Sequence, residues 1–362
     1  MKIEDLDQNL KVETALTEPD LVWFDAKQAP FRLYGVSYDE GAGCYVRMPI
    51  AVAQTVSQPV AKLCRHTAGG RVRFRTDSPY IAIHAVMHNG TPMSHIPLTG
   101  QSGFDLYHRN AAGKEIYYQT FVPPHGMTEG YSSGHRTDGT YCDYTINFPL
   151  YDGVKELHIA LKKGAHLSAP TPYAIEKPVV YYGSSITQGG CASRPGNAYQ
   201  AIIGRELDAD HINLGFSGNA KGELAMAEYI ATLDMSVFVL DYDHNTPSEE
   251  HLLATHELFF KTVRAKHPDL PVVFVTAPNT KLRGNMNYFG RGRFFTRRNI
   301  IRRTYEHARI AGDDNVYFID GVQLFGGDNW DACTVDGTHP NDCGFVRMAT
   351  RIGRDVRKAL KK

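Results

Sequence analysis

The sequence predicts two units of different class: an antiparallel β-sandwich of jelly-roll type over residues 1–170, then a three-layer α/β/α domain over 171–362 with a five-stranded parallel sheet. Three observations carry this. The N-terminal part holds about nine short strand-type runs separated by Gly, Asp, Ser and Pro clusters. The C-terminal part alternates apolar strand runs with amphipathic helical stretches. The change falls at Pro170-Thr171-Pro172, and 362 residues is a fitting length for two domains.

In the N-terminal unit the strand runs are LVWF (21–24), LYGVSY (33–38), CYVRM (44–48), RVRF (71–74), YIAIHAV (80–86), FDLYH (104–108), EIYYQTFV (115–122), YCDYTINF (141–148) and ELHIAL (156–161). Several alternate with period two. In Arg71-Val72-Arg73-Phe74-Arg75 the charges face one way and the apolar pair the other. No long stretch here has a 3.6-residue period, so a sandwich is expected.

In the C-terminal unit Pro178-Val179-Val180-Tyr181-Tyr182 is a continuous apolar run, as a strand buried on both faces requires. Helix follows over 198–207, strand over 211–214, helix over 222–233 and strand over 236–241. A long helix over 249–266 leads to a strand over 271–277. A helix within 294–312 precedes a strand over 315–319, and a helix over 345–360 closes the pattern. Parallel strands joined by crossover helices place helices on both faces of the sheet. A ligand site is then expected in the crevice beyond the carboxyl ends of the strands.

Composition narrows the function. Lys+Arg and Asp+Glu are both 39, so the formal net charge is zero. That argues against a nucleic-acid or anionic-membrane partner. No apolar run approaches the ~20 residues of a membrane span. The first twenty residues are polar and of mixed charge, which predicts a cytoplasmic chain unless a secretory signal has already been trimmed. The six cysteines form no C-x-x-C pair and are expected as reduced thiols. No H-E-x-x-H or dinucleotide glycine fingerprint occurs, so neither metal nor cofactor is expected. Aromatics reach 11%, with 20 Tyr against 17 Phe. Tyr suits β-sheets and also surfaces that meet hydroxyl-rich ligands.

The segments after the predicted strands carry the chemistry. They are Gly183-Ser184-Ser185-Ile186-Thr187, Gly215-Phe216-Ser217-Gly218-Asn219 and Asp241-Tyr242-Asp243-His244-Asn245, with Asp336-Gly337-Thr338-His339-Pro340 before the last helix. Together they supply what acyl transfer needs: a hydroxyl nucleophile, a base, a group that orients the base, and donors for an oxyanion. Ser185 sits at a strand-to-helix turn, Gly218 offers an approachable N–H, Asn245 a side-chain amide, His339 a base and Asp336 its partner. Each taken alone is an ordinary turn or cap residue. Their order after successive strand ends is what singles them out. The G-x-S-x-G elbow is absent, since residue 187 is Thr.

These four blocks, in order over residues 171–362, resemble the SGNH (GDSL-type) hydrolase superfamily, whose catalytic domain is flavodoxin-like. The resemblance implies Ser185 as nucleophile, His339 as general base and Asp336 as its partner. It implies an oxyanion hole of Ser185 N–H, Gly218 N–H and the Asn245 side chain. Ser184 stands where the family has Asp, and Asp243 where Gly is common. In the first half, Gly103-Phe104-Asp105-Leu106-Tyr107, with Tyr45-Val46-Arg47-Met48-Pro49, resembles the Gly-x-Asp-Leu-Tyr domain that precedes some SGNH esterases.

The expected function is a serine esterase acting on short acyl, above all acetyl, esters of a small-molecule or oligosaccharide substrate. Rivals are a lysophospholipase or thioesterase, an acyltransferase, and a non-catalytic carbohydrate-binding protein. His244, Asp243 and Trp330 are the expected substrate contacts. The glycine-rich segment 282–295, with Arg283, Arg291 and Arg293, is an expected lid or rim.

Overall fold

Side-chain alternation organises the N-terminal half. The computed structural model describes residues 5–8, 11–13, 15–88, 90, 92–278 and 290–361. Strands Leu21–Asp25, Val154–Lys162, Tyr80–Met87 and Gly130–Arg136 form one antiparallel sheet in that spatial order. The facing sheet has the order Leu167–Ser168, Arg71–Thr76, Cys142–Asn147, Phe104–Arg109, Glu115–Phe121, and Arg32–Tyr34 also pairs with Arg71–Thr76. Phe31, Phe74, Ile81, Ile83, Leu106 and Ile146 are among the residues buried between the sheets. The expected sandwich is therefore present.

Three local features differ from the sequence reading. LYGVSY breaks into Arg32–Tyr34 and Ser37–Asp39, because Gly35 turns the chain at φ 69°. Strand Gly130–Arg136 has no apolar run to announce it; only Tyr131 and Ser133 are buried. Helices Ile50–Val56 and Gln58–Leu63 each make less than two turns, too short to display a period. Arg71 and Arg73 are buried, and the Arg73 guanidinium lies 3.9 Å from the Tyr173 ring centre.

In the C-terminal half, strands Ile175–Gly183, Ala209–Gly215, Val237–Asp241, Val272–Val275 and Val316–Ile319 are parallel. Their spatial order is second, first, third, fourth, fifth. The apolar run divides by period two. Val179 and Tyr181 pack with Tyr199, Phe345 and Ile352 on one face, and Val180 and Tyr182 pack with Met226, Leu252 and Phe259 on the other. Helices Tyr199–Leu207 and Asp342–Ala359 cover the first face. Leu224–Ile230, Glu249–Lys266 and Gly290–Ile310 cover the second. The expected three-layer domain with five parallel strands is present.

The two halves meet along the edge strand Ala209–Gly215. Arg47 donates to the carbonyls of Asn213 (3.0 Å) and Gly215 (2.6 Å), and to those of His66 (2.7 Å) and Leu63 (2.8 Å). Burial pulls its pKa down only to about 10, so it stays a cation near neutrality. Arg71 donates to the carbonyl of His211 (3.2 Å) and pairs with Asp210. Arg109 pairs with Asp208 at 2.6 Å.

A second contact comes from the Gly-x-Asp-Leu-Tyr segment. Asp105 is fully buried and accepts from Asn147 Nδ2 (2.8 Å), the Gly196 N–H (2.8 Å) and Arg194 Nη1 (3.0 Å). Tyr107 bonds to Arg194 as well, and Arg205 lies 4.2 Å from its ring centre. Asp105 thus joins the sandwich to the loop that leads away from Ser185. Asp105→Ala strands an N–H, an amide and a guanidinium together. It should cost about 3 kcal/mol of unfolding free energy, read by urea titration; an unchanged midpoint would contradict this latch.

Candidate active site

The first parallel strand ends at Gly183, where only glycine fits. A Cβ there would meet Thr187 Oγ1 at 2.1 Å and the Asp241 carbonyl at 2.2 Å. Ser184 then caps the one-turn helix Ser185–Gln188, its Oγ accepting from the Ile186 N–H at 3.2 Å. Gly183 is in register with Gly215 on one side and Asp241 on the other. The loops bearing Ser185, Gly218 and Asn245 therefore leave the sheet side by side. They do so where the strand order reverses, the crevice position expected of such a sheet.

Ser185 Oγ lies 2.9 Å from His339 Nε2, and His339 Nδ1 lies 2.6 Å from Asp336 Oδ2. A carboxylate only accepts, so Nδ1 carries the proton and Nε2 presents its lone pair to the Ser185 hydroxyl. Asp336 Oδ1 accepts from the Thr338 (2.9 Å) and His339 (2.7 Å) N–H groups. Partial burial pushes the Asp336 carboxyl up. The hydrogen bonds from the His339 ring and from the two backbone N–H groups outweigh it and hold the group below the usual carboxylate range. The turn is tied by the Thr334–Pro340 bridge and by the Val335 N–H on the His339 carbonyl at 3.1 Å.

The neighbouring loops are held from behind. Gly218 adopts φ 70°, with open space where a Cβ would point, and the adjacent Ser217 N–H donates to Gln188 Oε1 at 3.0 Å. Asn245 ends the turn Asp243–Asn245 and is half-buried; among the described residues its Oδ1 is buried without a partner. Arg297 fixes this loop through the Asp243 carbonyl, Thr246 Oγ1 (2.6 Å) and the Thr246 carbonyl (3.0 Å). Asp241 lies beneath the Ser185 turn, accepting from Thr187 Oγ1 at 3.3 Å. Burial, then the nearby Asp243 charge, raises its pKa well above normal.

The expected substrate contacts take different places. Asp243 is only 2% exposed and accepts from the Ala277 N–H at 3.0 Å, so its carboxylate braces the fourth strand's exit. Trp330 is half-buried against the core on the Phe345 side of the sheet. His244 is half-buried beside Asn245. Of the expected lid, residues 282–289, with Arg283, lie outside the described residues, while Arg291 and Arg293 fall on helix Gly290–Ile310.

Two neighbours carried no signal in the sequence. Tyr151 donates its hydroxyl to the Ser185 carbonyl at 3.1 Å. The His95 ring centre lies 5.6 Å from that of His339. Both residues come from the first half, in segments without periodicity, so nothing local marked them.

With this geometry in place, comparison with known proteins gives a consistent answer. The profile of the GDSL-like lipase/acylhydrolase family matches residues 176–357. The chain belongs to that family. Residues 21–167 match the GxDLY N-terminal domain of SGNH-type esterases. A search of curated proteins gives no match. Among solved structures, a candidate GDSL-like lipase from Bacteroides ovatus ATCC 8483 is similar at 31% identity and TM-score 0.83, over 94% of this chain and 98% of that one. The salicylyl-acyltransferase SsfX3 from a tetracycline biosynthetic pathway shares the fold at 20% identity and TM-score 0.74, over 94% and 98%. The acetyl xylan esterase Est2A from Butyrivibrio proteoclasticus does so at 13% identity and TM-score 0.55, over 94% and 99%. This acylhydrolase-family chain has no helix long and apolar enough to cross a membrane among the described residues.

The depressed Asp336 pKa has a consequence for stability. A carboxyl lowered on folding stabilises above its unfolded pKa, and that contribution is lost as pH falls through the folded value. The gap in unfolding free energy between wild type and Asp336→Asn should shrink as pH falls below ~4. A gap that widens as pH falls from about 4 to 2 would contradict the assigned hydrogen bonds.

Proposed function

We propose that this SGNH-family hydrolase is a serine esterase that removes short acyl groups, acetyl first among them, from hydroxyls of a carbohydrate. The observation that carries the reading is the unbroken hydrogen-bonded relay from Ser185 through His339 to Asp336. His339 Nε2 takes the Ser185 proton as Oγ attacks the ester carbonyl. The oxyanion is received by the N–H groups of Ser185 and Gly218 and the Asn245 side chain. The alcohol leaves with the proton from His339, and water, deprotonated by the same nitrogen, releases the acid. Asp336 keeps the imidazole in the required tautomer and offsets the positive charge it gains.

The carbohydrate assignment is supported by the sandwich partner, by zero net charge, which suits a neutral hydroxyl-rich substrate, and by the fold shared with an acetyl xylan esterase. The fold shared with an acyltransferase favours a second reading, in which an acceptor alcohol replaces water at deacylation.

Ser185→Ala should lower kcat on 4-nitrophenyl acetate by at least ~10³ with its melting temperature unchanged. Full activity in that variant would overturn the mechanism. Acetate release from acetylated oligosaccharides, followed by mass spectrometry, should exceed hydrolysis of C8 and longer acyl esters. The reverse preference would point to a lipid or thioester substrate, and acyl transfer to an added alcohol in place of hydrolysis would establish the acyltransferase.

A further inference from the structure

A cluster of metal-ligating side chains stands against the relay. One ligand atom each from His95, Cys191 and His339 lies within 4.8 Å of the other two. His95 is exposed and comes from the sandwich. Cys191 is 3% exposed and follows the Ser185 helix, and His339 is half-buried. Two imidazoles and a thiolate form a donor set suited to a borderline-soft divalent cation, with a fourth position left for water.

The distances suit closure on an ion. Zn–N bonds of about 2.0 Å and a Zn–S bond of about 2.3 Å separate tetrahedral ligand atoms by about 3.3–3.6 Å. The observed span needs about 1 Å of contraction, within the reach of one exposed imidazole turning about its rotamer. The other two ligands are already held. His339 is fixed by Asp336. The Cys191 loop is fixed by the Gly190 N–H on the Ser185 carbonyl (2.8 Å) and the Ser193 N–H on Asp342 (2.9 Å). The His95 loop is brought to it by Thr99 Oγ1, which donates to the Ser193 carbonyl at 2.6 Å. Cys191 also sits at φ 78°, a left-handed conformation uncommon for a residue with a side chain. Asp336 adds a nearby negative charge.

We propose that His95, Cys191 and His339 form an inhibitory site for a soft divalent cation, Zn²⁺ being the best chemical match. Binding exchanges the Cys191 thiol proton for a metal–sulfur bond and releases that proton to solvent. Both ring nitrogens of His339 serve the relay, Nε2 toward Ser185 and Nδ1 toward Asp336. Ligation through either one breaks it. The inhibition rests on the esterase reading above; the binding does not.

The test therefore separates the two. The full chain, stripped with EDTA and exchanged into chelator-free buffer near neutral pH, is titrated with CoCl₂. Visible d–d bands and a near-ultraviolet thiolate-to-cobalt charge-transfer band are expected, both removed by ZnCl₂. Cys191→Ala should abolish the charge-transfer band, and His95→Ala should weaken Co²⁺ binding at least ~10-fold. Cys343→Ser, which removes the one exposed thiol, should leave the band intact. No band at sub-millimolar Co²⁺, or a band that survives Cys191→Ala, overturns the site. In the activity arm, ZnCl₂ should inhibit wild-type hydrolysis of 4-nitrophenyl acetate, and His95→Ala and Cys191→Ala should keep turnover while raising the inhibitory concentration at least ~10-fold. Inhibition unchanged in both variants overturns the inhibitory role. A wild type that binds Co²⁺ but hydrolyses no ester refutes the esterase reading and leaves the metal site standing.

Discussion

An open sheet edge presents carbonyls that must find donors. In the strand Ala209–Gly215 the carbonyls of His211, Asn213 and Gly215, at every second residue, accept from Arg47 and Arg71 of the sandwich. A guanidinium offers five N–H donors in a fixed fork, so one Arg47 side chain ties four carbonyls. This closure protects the edge from pairing with another chain. It also ties the sandwich to the parallel sheet.

One consequence is that the sandwich reaches the Ser185 surroundings. Asp105 grips the Gly196 N–H and Arg194, Tyr151 supports the Ser185 carbonyl, and His95 lies beside His339. The Gly-x-Asp-Leu-Tyr segment accordingly acts as an interdomain anchor. The segment after Ser185 is gripped from both sides, by Asp105 of the sandwich and by Asp342 at the start of the last helix. Such support keeps a hydrogen-bonded relay in one geometry without help from a substrate.

Some of the site was legible because it obeys chain-local rules. Ser185, Gly218 and Asn245 stand just past apolar runs whose length and flanks identify them as parallel strands. Asp336 and His339 are three residues apart, close enough to meet within one turn. The bond from the Ala277 N–H to Asp243 was not legible, because its two residues lie on different strand exits. The supporting roles of Arg297 and Asp241 were invisible for the same reason. Each acts through partners on other elements, which no local spacing encodes.

The sequence by itself determined the two fold classes, the parallel strands and the residues at their ends, because period-two and 3.6-residue patterns record which side of an element meets a core. Tertiary structure alone decided that the charged row Arg71-Val72-Arg73 is buried, that Asp105 spans the two halves, and that His95 and Cys191 flank His339. Those facts depend on contacts between segments about 90 to 240 residues apart, which no local period records.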